Sequence, residues 1–338
     1  MLAYIVRRVI VGVIMLIVMS FVTYFLFFAS PIDPGRFACG KSCPPELIKQ
    51  TDKALGFNKA WPVQWKDFAV GVVKGRDFPE DKSLRDSAPQ LVSHCAAPCL
   101  GYSVVNLQNV TTELKDKIPV SASVAMVAFL LWIIGGIALG TIAALTKGSF
   151  IDRGVVGTSL VFYAFPTFWV GLFLIEFPAI KWGWLPVPSY TPIADGGVWG
   201  WLSNLFLPGL TLALFYMASY VRITRAFVLE SMTEDYLRTA KAKGVPKLRV
   251  LVKHTMRAAL TPIVTMAGLD LASVLGGAVI AEQVFNFNGL GKLAVDSTVT
   301  FDLPTVVGLV LLLATFVIVA NIIVDILYAF IDPRVRIG

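Results

Sequence analysis

Four cysteines, two histidines and a few acids set inside apolar runs are the side chains of this 338-residue sequence best suited to chemistry. Cys39, Cys43, Cys95 and Cys99 form two Cys-x-x-x-Cys pairs within a single segment. In an oxidising compartment that pattern favours disulfides, with three possible pairings. Four thiolates at this spacing could instead hold zinc, or stay free. Neither His94 nor His254 belongs to a His-Glu-x-x-His helix, and the chain has no Gly-x-Ser-x-Gly elbow and no Gly-x-x-x-x-Gly-Lys-Ser/Thr phosphate loop. No catalytic residue, resident metal or cofactor is therefore expected of this chain. An Asp at the centre of a membrane helix costs roughly 2.5 to 3.5 kcal/mol on insertion, so each intramembrane acid is a functional candidate. Asp270 is the deepest, Asp325 sits closer to an inner face, and Glu176 and Glu282 lie near outer ends. Asp270 either lines a pathway or hydrogen-bonds a neighbouring helix.

The elements that must position these groups are apolar runs. The chain is 56% hydrophobic and only 15% charged, against about a quarter charged in ordinary soluble domains. Runs of membrane-spanning length cover Ile10–Ala29, Val120–Leu145, Gly154–Phe177, Leu205–Val221, Leu260–Val284 and Pro304–Ile331. The expected fold is an all-α membrane protein of six transmembrane helices, with a small extracytoplasmic subdomain between the first and second. Residues 1–29 are then the N-terminus and first helix, 30–117 the subdomain, and 118–338 a five-helix core with a cytoplasmic loop at 229–257. The first run is too long for a cleaved signal and lacks a small-x-small site.

Lysine and arginine set the orientation. With both termini inside, the inner segments hold Arg7, Arg8, Lys147, Arg153, nine residues from Arg222 to Arg257, Arg334 and Arg336. The short outer loops hold only Lys181 and Lys292. The formal charge of +7 is thus explained by topology, not by nucleic-acid binding. Trp182, Trp184, Tyr190, Trp199 and Trp201 cluster where the third and fourth helices should leave the membrane, as interface anchors or as an aromatic platform for a ligand.

The most informative stretch is Ser231-Met-Thr-Glu-Asp-Tyr-Leu-Arg-Thr-Ala-Lys-Ala-Lys-Gly-Val-Pro246. It reads as helix, stop, helix. Ser231 and Glu234 have capping-box spacing, Glu234 and Asp235 suit the positive end of a helix dipole, and Lys241 and Lys243 the negative end. Gly244 supplies a left-handed stop and Pro246 a first-turn residue for the next helix. Leu237, Ala240, Gly244, Leu248 and Leu251 would form one apolar stripe if the two helices were continuous. Such a helix lying on the inner leaflet is the plain alternative to a docking element.

Glu234-Asp-Tyr-Leu-Arg-Thr-Ala-Lys-Ala-Lys-Gly244 resembles the Glu-Ala-Ala loop of ABC importer permeases, in the form of the oligopeptide, dipeptide and nickel permease family. Arg238, Thr239 and Ala240 stand where the general pattern has Glu-Ala-Ala before Gly244. Met1–Arg8, the run from Gly276 to Phe285 followed by Gly289-Leu-Gly291, and Asp325 to Arg334 also resemble that family, so the likeness covers nearly the whole chain. The resemblance implies that Glu234, Asp235, Tyr236, Arg238, Thr239, Ala240, Lys243 and Gly244 couple the chain to cytoplasmic ATPases, which hold ATP and Mg. It further implies a second, homologous permease subunit, two ATPase subunits or one fused ATPase, and an extracytoplasmic substrate-binding protein. The setting would be a bacterial plasma membrane and the cargo oligopeptides or dipeptides, with nickel chelates or another small solute as the alternative. A membrane enzyme would need a nucleophile or metal constellation, and a non-transporting scaffold would need neither the coupling helix nor the mid-membrane acid.

Overall fold

The computed structural model describes residues 2–28, 35–36, 44–275 and 278–331. Cys39 and Cys43 lie outside the described residues, as does the side chain of Asp325. The chain forms two compact units, residues 1–121 with 288–319, and residues 122–287 with 320–338. Among the described residues, four helices are long and apolar enough to cross a membrane, or up to six spans if each of two bent helix pairs counts as one.

The first unit is built on helix α1 (Leu2–Phe28). Two short helices follow, α2 (Pro45–Leu55) and α3 (Trp61–Lys74). Both have proline at the start, where the missing N–H costs nothing. α3 packs along α1 through rings: Phe21 meets Trp61 and Trp65 edge-on at 5.4 and 5.3 Å, and Tyr24 meets Phe68 at 5.0 Å. Trp65 Nε1 donates to Ser20 Oγ at 3.1 Å, so the indole finds its polar partner. Strand β1 (Arg76–Phe78) pairs antiparallel with β2 (Ser93–Cys95), and short helix α4 (Lys82–Ser87) lies between them, capped by Asp81. Cys95 and Cys99 are joined by a disulfide and buried with Phe78, so these two sulfurs are not free thiolates. A second antiparallel pair, β3 (Tyr102–Ser103) and β4 (Gln108–Asn109), leads into helix α5 (Val110–Leu145).

Helix α5 starts at Val110, not Val120, so residues 110–117 belong to the helix rather than to the polar insertion. Hydropathy marks only the lipid-immersed part of a helix, and polar first turns escape it. The insertion also does not fold apart from the later chain. Val110 and Leu114 share a core with Leu290, Leu293 and Leu309, while Tyr24 and Phe68 share one with Val307 and Leu311. The later residues come from α13 (Leu290–Val299) and α14 (Leu303–Ile331). Asp302 caps α14, accepting from Ser103 Oγ and from Thr305 Oγ1 at 2.7 Å, and burial pushes its carboxyl above the usual range.

The second unit takes the remainder of α5 with α6 (Phe150–Ala164), α7 (Thr167–Leu174), α8 (Ile193–Ser231), α9 (Asp235–Ala242), α10 (Lys247–Arg249), α11 (Met256–Leu275) and α12 (Val279–Val284). The run read as one third span is broken: α6 and the segment from Thr167 to Lys181 are bent by 101°. Phe165 precedes Pro166 and is forced into the extended region, φ −78° and ψ 138°, which ends α6 there. The run read as Leu205–Val221 is the apolar centre of the longer α8, which is kinked at Gly197 (φ +63°), and the fifth run starts at Met256 within another bent pair. α5 and α8 approach closely at Gly136-x-x-x-Gly140. A Cβ on Gly136 would lie 2.5 Å from Tyr220 Cβ, and one on Gly140 would lie 2.6 Å from the Val221 carbonyl. Small residues at this spacing let helix backbones meet where no hydrophobic force drives them together.

Candidate functional site: the exposed helix between two spans

Helix α9 is short because its ends are chemically marked. α8 runs on to Ser231, and Glu234 rather than Ser231 precedes α9, at φ −65° and ψ 142°. Its side chain makes no capping bond, so the capping box expected from Ser231 and Glu234 does not form. Ser231 is already inside the preceding helix, and Thr233 Oγ1 bonds back to the Glu230 carbonyl at 2.7 Å. The far end is a complete Schellman motif. Gly244 has φ +73°, its N–H donates to the Lys241 carbonyl at 3.0 Å, and Val245 N–H donates to the Ala240 carbonyl at 3.2 Å. Lys243 is the helix C-cap. Pro246 stands just before α10, one position earlier than a first-turn residue, and its carbonyl accepts from Val250 N–H at 3.0 Å.

The faces of α9 differ sharply. Leu237 is 1% exposed, whereas Asp235, Tyr236, Arg238 and Thr239 face outward. Asp235 and Arg238 approach at 3.7 Å as a solvated pair, which contributes little to stability. Thr239 Oγ1 donates to the Asp235 carbonyl at 3.1 Å. The continuous stripe expected from Leu237 to Leu251 is not there. Gly244 turns the chain, and Leu248 is left 73% exposed. Leu237 instead lines a groove of about 600 Å³ together with Leu145, Met232, Val250, Leu251 and Thr255, with Lys241 and Lys247 at its polar positions. Val250–Thr255 is wound as a π-helix, a geometry frequent at functional sites.

Two polar links centred on acids help tie the spans of this unit together. Arg225 grips Asp152 with two bonds, Nε to Oδ1 at 2.7 Å and Nη2 to Oδ2 at 2.8 Å. Asp152 Oδ2 also accepts from Gly148 N–H at 2.9 Å, fixing the turn before α6 to the end of α8. Asp270 on α11 accepts from Tyr220 Oη on α8 at 2.6 Å. Tyr216 lies beside this pair and stacks on Trp132 of α5 at 4.6 Å. The other acids stand elsewhere: Glu176 pairs with Lys181 at 3.1 Å and is half-exposed, and Glu282 is buried. Of the aromatic cluster, Trp184 and Trp199 are exposed, Trp201 Nε1 donates to Ser123 Oγ at 3.2 Å, and Tyr190 meets Phe287 edge-on at 6.2 Å.

The Asp152–Arg225 pair and the groove residues Met232, Val250 and Thr255 were not among the residues singled out by sequence. Ser149-x-x-Asp152 is a visible capping pattern, and Ser149 Oγ does accept from Asp152 N–H at 3.2 Å. Nothing local points from Asp152 to an arginine 73 positions away.

Residues 136–337, which hold this groove and both polar links except for the aromatic Trp132, match the model of the binding-protein-dependent transport system inner membrane component family. The chain belongs to that family. Residues 1–125 match the companion N-terminal model of such transport components. A putative peptide transport system permease protein of Brucella abortus is 33% identical over 336 residues, 99% of each chain. The oligopeptide transport system permease protein AppB of Bacillus subtilis is 32% identical over 338 residues, 99% of this chain and 100% of its own. The dipeptide transport system permease protein DppB of Haemophilus influenzae is 39% identical over 254 residues, 70% of this chain and 76% of its own. The fold resembles an inward-facing MetNI methionine ABC transporter chain, with TM-score 0.50 and 15% identity over 66% of this chain and 97% of that one. The chain is a multi-pass membrane component of a transport system that works with other subunits.

Proposed function

We propose that this permease-family chain forms half of the translocation pathway of an ATP-driven importer of oligopeptides or dipeptides. The observation that carries the reading is α9: a short helix, stopped at both ends, that buries one leucine and presents the rest of its surface between two membrane segments. Glu234, Asp235, Tyr236, Arg238, Thr239, Ala240, Lys243 and Gly244 form the face on which a cytoplasmic ATPase docks. Closure of an ATPase pair would push α9, and the groove under Leu237 would pass that push to α8 and α11. Peptide as cargo is supported by the putative peptide transport permease of Brucella abortus and the oligopeptide permease AppB of Bacillus subtilis, which match this chain end to end.

The chain spans a bacterial plasma membrane six times with both termini inside. It performs no covalent chemistry and binds no cofactor. ATP and Mg are held by two ATPase subunits or one fused chain. A second, homologous permease completes the pathway, and an extracytoplasmic binding protein delivers cargo. The test is purification of the tagged chain from its native membrane, followed by reconstitution with a peptide panel. An ATPase and a second permease should copurify, and peptide uptake should require ATP. Ala240→Asp, on the docking helix, should leave the subunit in the membrane while uptake and peptide-stimulated ATP hydrolysis both collapse. Recovery of the chain alone, or normal coupled transport by Ala240→Asp, would overturn the reading.

A further inference from the structure

An acid within an apolar helix is tolerable when the protein supplies its partners or when it faces a water-filled path. Asp270 has half of the first arrangement. Tyr220 Oη fixes Oδ2 at 2.6 Å, and among the described residues no lysine, arginine or histidine pairs with the carboxylate. The support beneath it is rigid: Tyr220 is 1% exposed and Trp132 fully buried. Asp270 and Tyr216, by contrast, are partly exposed. Tyr216, one turn before Tyr220 on α8, stands on the same side of that helix. Trp132 stacks on that ring at 4.6 Å with an interplanar angle of 27°.

A carboxylate at the edge of fixed aromatic rings, with no cation of its own, is the chemistry that recognises an ammonium or guanidinium group. An interhelical bond alone would be served as well by a neutral acceptor, which inserts into a membrane at lower cost. We infer that Asp270, with Tyr216 beside it, is a subsite for cationic groups of the cargo along the translocation path. This rests on the transport reading and adds charge selectivity to it. The carboxylate engages the cation, Tyr216 offers its ring, and Tyr220 is a positioning residue that aims the carboxylate.

Met266 lies one turn before Asp270 on α11 and is 39% exposed, so Met266→Cys places a reporter on the same stripe. In the assembled, reconstituted complex, a cationic methanethiosulfonate should label it about tenfold faster than an anionic one, as expected for a carboxylate one turn away. Adding Asp270→Asn, which keeps the acceptor for Tyr220, should bring the ratio close to one, and Asp270→Glu should restore it. In parallel, Asp270→Asn should lower uptake of a lysine-containing tripeptide relative to a glutamate-containing one by a similar factor. No labelling from water, or either ratio unchanged by Asp270→Asn, would assign Asp270 a purely interhelical role and overturn the subsite. If the unsubstituted complex takes up no peptide at all, the proposed function fails, while the labelling ratio still decides whether Asp270 attracts cations.

Discussion

Two glycines separate the two working regions of the second unit. Gly140 has ordinary helical geometry and no room, because a Cβ there would lie 2.6 Å from the Val221 carbonyl and 2.7 Å from Thr224 Cβ. Gly244 has all the room it needs and an unusual backbone, φ +73° with nothing within 4 Å of a Cβ. The first glycine serves contact between α5 and α8, and the second serves the local shape of an exposed turn. A region that must transmit force needs both kinds: a rigid pair of helices to move, and a protruding element of fixed angle to be pushed.

The comparison can be broken most severely at Gly140. Gly140→Val should raise the cost beyond the ~1 to 3 kcal/mol of ordinary overpacking, because the obstacle includes backbone that cannot rotate away. The expected result is loss of folded subunit in detergent, read by fluorescence size-exclusion chromatography. Recovery of normal amounts with unchanged thermal stability would mean that α5 and α8 do not meet as described. The next effect is expected at the ion pair that joins α6 to α8. Asp152→Ala leaves Arg225 without its two bonds and Gly148 N–H without its acceptor. Its detergent melting temperature should fall, by less than that of Gly140→Val. Asp152→Asn should fall less still, since its single carbonyl oxygen can still accept from Arg225 Nη2 and Gly148 N–H where Oδ2 does, although its amide nitrogen then faces Arg225 Nε. Equal stability of all three chains would remove the pair from the account.

At Gly244 the expected pattern inverts. Gly244→Val forces a β-branched residue into the left-handed region at roughly 1 to 2 kcal/mol, and that cost falls on a turn whose loss does not unfold the spans. Expression and melting temperature should therefore stay near those of the unsubstituted chain, while ATP-dependent uptake collapses. Gly244→Asn, which tolerates this backbone better, should recover part of the uptake. A Gly244→Val chain that melts as early as Gly140→Val would show that α9 is part of the rigid body rather than an element attached to it.

How much of this was legible in the sequence follows the same division. The Gly244 stop depends on residues within one turn of it, so composition and spacing gave the helix and its end. The spans were legible because lipid imposes length and apolarity on any crossing helix. Their edges were not, because α5 and α8 continue past the apolar run as polar helix. The bend at Pro166 was written in a proline, yet whether such a residue kinks a span or ends it depends on packing. The reach of Asp152 to Arg225 and of Asp270 to Tyr220 was invisible, since each joins residues at least 50 positions apart. The missing Ser231 cap has the same origin: the preceding helix extended far enough to absorb the residue that would have capped the next one.

The smallest expected effect lies at Leu248, and it bears on the shape of the segment as a whole. A continuous amphipathic helix from Leu237 to Leu251 would bury Leu248 with Leu237 on one stripe, whether against lipid or against the core. In the structure the turn at Gly244 separates them, leaving Leu237 1% and Leu248 73% exposed. The two leucines should then respond differently to similar losses. Leu237→Ala removes methyl groups from a side chain that is almost wholly enclosed and should cost about 2 to 5 kcal/mol. Leu248→Ser removes nothing that the subunit has enclosed, so its effect on stability should stay within ~0.5 kcal/mol. Thermal melting of the two variants in detergent measures both. Matched losses would restore the continuous stripe and with it the helix lying on the inner leaflet. If only Leu237→Ala is destabilised, Leu248 is left as an apolar side chain on the exposed side of the segment, and Leu248→Ser should then weaken ATPase copurification without changing subunit stability.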